Sequence, residues 1–201
     1  MRIGVPRETA ALERRVALVP EAVARLGKGG HEVVVERGAG AAAGFTDAQY
    51  AAAGARLGGA AEALGAELVL KVQRPSPEQI AQLREGALLV ALLAPATGAE
   101  AFAALAARKV TALAMELVPR ISRAQAMDAL SSQANLAGYK AVIIGAEAMN
   151  RVLPMMTTAA GTLAPARCFV IGAGVAGLQA IATARRLGAV VSAFDVRPVV
   201  K

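Results

Sequence analysis

The fold is decided by the stretch Arg167-Cys-Phe-Val-Ile-Gly-Ala-Gly-Val-Ala-Gly-Leu-Gln-Ala-Ile181 of this 201-residue chain. Its first part is a short apolar run that predicts a buried strand over residues 168–171. Three glycines follow at the spacing G-x-G-x-x-G, namely Gly172, Gly174 and Gly177. A helical pattern continues over residues 178–187, and a second strand is predicted over 190–194. The stretch therefore predicts a strand–turn–helix–strand unit.

Each glycine of this turn has its own physical reason. The first allows a tight turn, the second lets the backbone approach a pyrophosphate, and the third lets the helix pack close to the strand. The N-terminus of the helix offers unpaired N–H groups and a partial positive charge to phosphates. Asp195 follows about 20 residues later, where a carboxylate can accept hydrogen bonds from an adenosine ribose. The combination predicts a dinucleotide-binding unit; the alternative is a glycine-rich turn in a βαβ unit that binds no nucleotide.

The rest of the chain alternates short β-rich runs with helical stretches. Strands are predicted at residues 3–5, 32–36, 68–72, 88–92 and 110–113, and helices at 20–28, 47–57, 77–84 and 97–108. This alternation predicts an α/β protein with parallel, doubly wound sheets. We expect Pro20 and Pro77 in first helical turns, and Thr46 and Thr97 at helix N-caps.

The order of these elements predicts two Rossmann-like domains. We expect an N-terminal α/β domain over residues 1–121, a connecting helix over 122–150, and the start of a nucleotide-binding domain over 151–201, with a loop at 157–162. A dinucleotide fold normally has six strands, whereas this last segment supplies only a βαβ unit. The second domain is therefore expected to be incomplete in this chain.

Composition narrows the class of protein. Apolar residues make up 56% and aromatic residues 3%, so the core is built of Ala, Val, Leu and Ile. The net charge of +7 comes from scattered basic residues without a polybasic run, which gives no indication of nucleic-acid binding. The single cysteine, Cys168, allows no disulfide within the chain, and neither a signal peptide nor a membrane span is predicted. These features favour a soluble protein of a reducing compartment.

A second set of polar residues recurs at intervals of three. Gln125, Asp128 and Ser131 would share one face if this segment is helical, and Arg120 lies just before it. One interpretation is a solvated helix face with an ordinary cap at Ser122. The other is a polar clamp that orients an amide or a ribose beside the cofactor.

Other candidate groups are few. Arg15 follows the first strand, and Lys71 lies in an apolar strand, where its ammonium needs a partner unless it reaches solvent at the strand end. His31 is the only histidine and is expected in a turn. With one histidine and one cysteine, no metal site and no Ser-His-Asp triad is predicted.

Several segments together resemble a known superfamily. Arg2-Ile-Gly-Val-Pro-Arg-Glu8, with Arg15-Val-Ala-Leu-Val-Pro20, resembles alanine dehydrogenases and nicotinamide nucleotide transhydrogenases. The run Pro119-Arg-Ile-Ser-Arg-Ala-Gln-Ala-Met-Asp-Ala-Leu-Ser-Ser-Gln-Ala-Asn-Leu-Ala-Gly-Tyr139 and the run Phe194-Asp-Val-Arg197 resemble the NAD(H)-binding alpha subunit of proton-translocating transhydrogenases. The resemblance covers the whole chain, but only about the first half of such a subunit.

This resemblance implies a role for each matching residue. It places a nicotinamide clamp at Arg120, Gln125, Asp128 and Ser131, a pyrophosphate turn at Gly172, Gly174, Val175, Ala176 and Gly177, and the adenosine end at Asp195, Val196 and Arg197. The implied reaction is reversible hydride transfer between NAD(H) held here and NADP(H) on another subunit, coupled to proton translocation. The implied assembly is a homodimer in the cytoplasm, held at the inner membrane by the membrane and NADP(H)-binding subunits.

Two alternatives stay open. In alanine dehydrogenases a histidine base follows the Leu-Lys-Val strand, and the ungapped equivalent here is Ala94. Amino-acid oxidation needs such a proton acceptor, whereas hydride transfer between two rings needs apposition only. An amino-acid dehydrogenase of the alanine type is therefore the first alternative, and a non-catalytic nucleotide-binding fragment is the second. Asp195 disfavours a 2′-phosphate while Arg197 could accept one, and the resemblance implies NAD(H).

Overall fold

A computed structural model describes residues 1–198. The chain forms two compact units, the first over Met1–Ala124 and the second from Gln125 onwards. The first unit holds six strands: β1 (Arg2–Val5), β2 (Glu32–Glu36), β3 (Arg56–Gly58), β4 (Leu68–Leu70), β5 (Leu88–Ala91) and β6 (Thr111–Ala114). Its α-helices are α1 (Pro20–Lys28), α2 (Asp47–Ala52), α3 (Ala60–Leu64), α4 (Pro77–Gln82) and α5 (Ala99–Ala107).

The six strands form one parallel sheet in the order β3-β2-β1-β4-β5-β6. This is the doubly wound α/β arrangement that the alternating pattern predicts. Val33, Val34 and Val35 of β2 are all buried, as expected for a strand covered on both faces. The order reverses between β1 and β4, so the carboxyl ends of these two strands border a crevice, the usual place for a ligand in such sheets.

Local signals in the first unit are largely confirmed. Thr46 caps α2 and forms a reciprocal capping box with Gln49, and Pro20 and Pro77 lie in the first turns of α1 and α4. Two expectations were wrong. The helix predicted over 47–57 ends at Ala52, because the chain turns at Gly54 with φ +91° and then forms β3. The N-cap of α5 is Gly98 rather than Thr97, which lies in the preceding 3₁₀ turn.

The second unit begins with a long helix, α6 (Ala129–Ala148), and a hairpin of β7 (Met156–Thr158) and β8 (Gly161–Leu163). The βαβ unit follows as β9 (Arg167–Ile171), α7 (Val175–Arg186) and β10 (Val190–Phe194), with β9 and β10 parallel. Helix α6, expected to connect two domains, belongs to this unit and packs along α7. The predicted loop at 157–162 was wrong, because these residues pair as an antiparallel hairpin that turns at Gly161 with φ +134°.

Side chains of β9 alternate between covered and open positions. Cys168 and Val170 are half-buried, whereas Phe169 and Ile171 are exposed. This exposed apolar row fits the prediction that the described part of the second unit holds one βαβ unit of a larger sheet. Within residues 1–198, no helix combines the length and the apolar character needed to cross a membrane.

Candidate nucleotide-binding site

The glycine turn between β9 and α7 has the geometry that its spacing predicts. Gly172 has φ +94°, a left-handed conformation that residues with side chains avoid. A Cβ on Gly177 would lie 1.8 Å from the carbonyl oxygen of Gly172, so only glycine permits this approach of helix and turn. Gly174 is the N-cap of α7 and carries no side chain that could cap the helix. The first-turn amides of α7, at Val175 and Ala176, therefore lie at a helix start suited to an anion.

Asp195 connects the end of β10 to this turn. Its carboxylate is almost fully buried and accepts a hydrogen bond from the Ala173 amide, with N to Oδ2 2.7 Å. Arg197 donates to both oxygens, from Nε to Oδ1 at 2.9 Å and from Nη2 to Oδ2 at 2.8 Å, and its own amide also donates to Oδ1. These bonds, led by those from the guanidinium, hold the pKa of Asp195 well below its usual range.

The two charges predicted at the adenosine end are therefore paired with each other. Arg197 is half-exposed, and its Nη2 lies 3.9 Å from where a Cβ on Gly174 would sit, so the guanidinium borders the phosphate turn. Val196, between the two, is 82% exposed. A ribose hydroxyl that bonds to Asp195 has to share or displace a hydrogen bond from Arg197. The sequence placed these residues correctly near the turn but gave no sign of their ion pair.

The polar residues of the predicted clamp do not lie on one α-helix. Gln125 is exposed in a 3₁₀ helix over Ser122–Met127, Asp128 is the N-cap of α6, and Ser131 lies in the first turn. Asp128 accepts from the Ser131 amide at 2.9 Å and from Ser131 Oγ at 2.5 Å. The cap is thus at Asp128, and the expected cap at Ser122 was wrong. Arg120 is exposed and belongs to the first unit, whereas the other three residues belong to the second.

The crevice of the first unit contains a buried ion pair. Lys71 Nζ lies 3.1 Å from Glu8 Oε2, with the two side chains only 1% and 3% exposed. Glu8 also accepts hydrogen bonds from the amides of Val72 and Gln73, at 2.6 Å and 3.3 Å. The expectation that Lys71 reaches solvent at the end of its strand was wrong. Glu8 went unnoticed in the sequence, although its position just after β1 puts it at the switch point of the sheet.

A second polar group at this crevice is centred on Glu13. Arg15 donates to both carboxylate oxygens, with Nη2 to Oε2 2.7 Å, and Gln73 Nε2 donates to Oε2 at 2.7 Å. The hydrogen bonds from Arg15, supported by that from Gln73, lower the pKa of Glu13 to about 2 against the opposing effect of burial. The adjacent cleft, about 1020 Å³, is lined in part by Glu8, Lys71, Gln73, Arg74, Ser76 and Thr97.

Ala94 has an unusual backbone at the rim of the first unit's sheet. Its φ is +48°, and the carboxylate of Glu116 accepts hydrogen bonds from its amide and from the Leu93 amide. Arg74 Nη1 donates to the Leu93 carbonyl at 3.2 Å. The segment is thus fixed in place, yet Ala94 itself offers no group that could take a proton. Among residues 1–198, no set of three or more histidine, cysteine, aspartate or glutamate side chains could hold a metal ion.

Comparison with known proteins gives matches over the whole chain. The model of the alanine dehydrogenase/PNT N-terminal domain matches residues 4–137, and that of the C-terminal domain matches residues 141–201. The first of the separate polypeptides that form the NAD(P) transhydrogenase alpha subunit of Rhodospirillum rubrum is 55% identical, over 100% of this chain and 54% of that protein. NAD(P) transhydrogenase subunit alpha of Haemophilus influenzae is 49% identical, over 100% and 39%. Alanine dehydrogenase of Mycobacterium tuberculosis is 36% identical, over 98% and 54%.

Solved structures show the same two relationships. A transhydrogenase from Sinorhizobium meliloti matches with a TM-score of 0.97 and 55% identity, over 100% of this chain and 58% of that one. An L-alanine dehydrogenase matches with a TM-score of 0.88 and 32% identity, over 98% and 55%. The chain therefore spans about half the length, or less, of the curated relatives described here. With both domain models matched in succession, the chain belongs to the alanine dehydrogenase/PNT family.

Proposed function

We propose that this chain is the NAD(H)-binding part of a transhydrogenase, in which hydride passes reversibly between NAD(H) held by the second unit and NADP(H) held by another subunit. The observation that carries the proposal is the glycine turn. Gly172 and Gly177 have conformations and contacts that no other residue allows, and α7 presents an N-terminus that no side chain caps. The transhydrogenase relatives at 49% and 55% identity support the same assignment.

The residues of the second unit divide the nucleotide between them. The amides of Val175, Ala176 and Gly177 suit the pyrophosphate, because helix N-termini attract anions. Asp195 suits the adenosine ribose as a hydrogen-bond acceptor, and its negative charge disfavours a 2′-phosphate. Arg197 then gives up part of its bond to Asp195 and remains beside the phosphates. This division favours NAD(H) over NADP(H) at this site.

The proposed chemistry makes few demands on the protein. A bound nicotinamide supplies or takes the hydride, two electrons and one proton together, so no proton passes to a side chain. Gln125, Asp128, Ser131 and Arg120 are proposed to orient the nicotinamide by hydrogen bonds. Orientation of this kind can supply much of the rate of a transfer between two rings. The structure favours such a role at Asp128 and Ser131, because their mutual hydrogen bonds hold both side chains in one arrangement.

The proposed assembly follows the names of the relatives. Two of them are alpha subunits, or a portion of one, which indicates further subunits in the complex. We propose that these include a membrane subunit that couples the reaction to proton translocation and a subunit that binds NADP(H). The chain would then act as a homodimer on the cytoplasmic side of the inner membrane, attached through those partners. No nucleic-acid partner is proposed.

Alanine dehydrogenase activity is the competing enzymatic function. Oxidation of an amino acid releases a proton from nitrogen or water and so requires a proton acceptor near the reacting carbon. Ala94 provides none, and Lys71 and Arg15 are paired with Glu8 and Glu13. A non-catalytic nucleotide-binding role remains for the 201-residue piece on its own, because its second sheet has two strands in the described residues.

A titration and two assays distinguish these functions in the full native polypeptide that contains this chain. NADH and NADPH are titrated by nicotinamide fluorescence, and hydride transfer to an NADP(H) analogue is measured with the partner subunits present. We expect tighter binding of NADH than of NADPH, measurable transfer, and no reduction of NAD⁺ by L-alanine. Tighter binding of NADPH would contradict the site assignment. Reduction of NAD⁺ by L-alanine would establish the dehydrogenase, and binding of NADH without any transfer would leave the non-catalytic role.

A further inference from the structure

Helix α6 contacts the backbone of the glycine turn through a single glycine. A Cβ built on Gly138 would lie 2.1 Å from the carbonyl oxygen of Ala176, 2.9 Å from its carbonyl carbon and 3.0 Å from its Cα. All three atoms are backbone, so no side-chain rotation relieves the overlap. Gly145, on the same helix, has nothing within 4 Å of its hypothetical Cβ. The requirement for glycine is therefore specific to position 138.

The partner of Gly138 is part of the proposed phosphate site. Ala176 lies between Gly174 and Gly177 of the turn, in the first turn of α7. Any shift of its carbonyl also moves the neighbouring amides, because the peptide groups of a helix turn are linked by hydrogen bonds. Gly138 thus fixes how closely α6 approaches the amides that face the pyrophosphate.

The same face of α6 leads to the proposed nicotinamide clamp. Ser131, Ala134, Gly138 and Val142 are separated by three, four and four positions, and all are buried or half-buried. Two helical turns, about 10 Å along the axis, separate Gly138 from Ser131. Ser131 is tied to Asp128 at the N-cap. One rigid helix therefore joins the residues proposed for one end of the nucleotide to the turn proposed for its middle.

We propose that Gly138 is a positioning residue, whose missing side chain sets the distance between the Asp128–Ser131 pair and the pyrophosphate turn. This inference rests on the proposed function. A methyl group at position 138 forces α6 and the start of α7 apart by about 1 Å, because a carbon and an oxygen that do not share a strong bond stay about 3.3 Å apart or more. A displacement of 1 Å in a binding site can reduce a rate by about 100-fold. The expected result is weaker nucleotide binding and slower transfer in a folded protein.

The test uses Gly138→Ala in the full native polypeptide, with Gly145→Ala as the matched control. Binding of NADH and of ADP-ribose, which has the pyrophosphate without the nicotinamide, is measured together with the thermal unfolding midpoint. We expect Gly138→Ala to weaken both ligands by roughly 10-fold to 100-fold, and Gly145→Ala to change neither. Val142→Ala, on the same face, is the control for stability, since it loosens the packing without adding an atom. It is expected to lower the midpoint and leave both affinities within about two-fold of the unsubstituted protein.

Each outcome separates the inference from the function on which it rests. If the unsubstituted protein binds neither NADH nor ADP-ribose, the proposed function fails. If it binds both and Gly138→Ala binds them equally well, Gly138 has no positioning role. The inference is also overturned if Val142→Ala weakens the ligands as much as Gly138→Ala does. Should Gly138→Ala yield no folded protein, Ala134→Val pushes the same face more mildly, and unchanged NADH affinity in that variant overturns the proposal.

Discussion

The buried pair of Glu8 and Lys71 gives the sharpest prediction about stability. Glu8→Gln keeps the shape of the side chain and removes its charge, which leaves the Lys71 ammonium buried without a counter-charge. The amides of Val72 and Gln73 also lose a charged acceptor. Removing one partner of a buried pair costs about 3 to 5 kcal/mol, because the remaining charge has neither water nor a partner. Since domains are stable by about 5 to 15 kcal/mol, the first unit would lose a large part of its stability.

The measurement is equilibrium urea unfolding followed through Tyr50. The chain has two tyrosines and no tryptophan, so in a Tyr139→Phe background Tyr50 is its only tyrosine. Tyr50 is fully buried in the first unit and donates to the Leu18 carbonyl at 2.7 Å, so its emission reports on that unit. The change in midpoint multiplied by the slope gives the loss of free energy.

Two further variants decide whether burial is the cause. Glu85→Gln breaks the pair with Lys109, which has a shorter separation of 2.7 Å but is exposed on both sides. It is expected to cost at most about 1 kcal/mol. The double variant Glu8→Gln with Lys71→Met removes both buried charges and should recover most of the loss. A cost below about 1 kcal/mol for Glu8→Gln, or no recovery in the double variant, would refute the reasoning.

Three other changes follow from the same structure. Glu13 has a lowered pKa in the folded chain, so its contribution to stability is complete above its unfolded pKa of about 4.3 and is lost as the pH falls towards about 2. Glu13→Gln should therefore flatten the dependence of the unfolding free energy on pH between those values, and an unchanged slope would contradict the ion pair. Asp128→Asn retains an N-cap residue but removes the charge, so we expect slower hydride transfer with an almost unchanged melting temperature; Gln125→Ala should also slow transfer more than it weakens NADH binding, and full activity in both variants would exclude the clamp. Leu12 is 98% exposed with φ +64°, so Leu12→Gly should raise stability by about 0.5 to 1 kcal/mol in a urea titration, whereas a loss would show that the left-handed backbone is not the strained element.

Features that depend on short stretches of sequence were predictable. The alternation of strands and helices indicated the parallel sheet, and the glycine spacing indicated both the turn and the close approach of Gly177 to Gly172. Thr46 could be assigned as an N-cap because its partner Gln49 is three residues away. In each case the interacting groups are neighbours in the chain, or are imposed by the geometry of one βαβ unit.

Features that depend on distant residues were not predictable in the same way. Lys71 is paired with Glu8, 63 positions earlier, and no local pattern connects them. Gly138 looked like an interruption of a helix, and only the contact with Ala176 shows what its missing side chain permits. The three-residue spacing of Gln125, Asp128 and Ser131 suggested a single α-helix, but the helix begins at Ala129, because the Asp128 carboxylate caps it.

The two activities in the family's name differ in whether a proton has to move. Oxidation of an amino acid transfers a hydride and also releases a proton, so the site needs an ionisable group beside the substrate. In the first unit of this chain, Glu116 holds the backbone at Ala94 in place while the side chain there is a methyl group. The nearby charges are occupied, since Glu8 holds Lys71 and Glu13 holds Arg15. The second unit retains the backbone features that a dinucleotide requires. A chain that keeps the nucleotide turn and offers no proton acceptor at position 94 is suited to exchanging hydride between two nicotinamides, which is the reaction that leaves no proton to be removed.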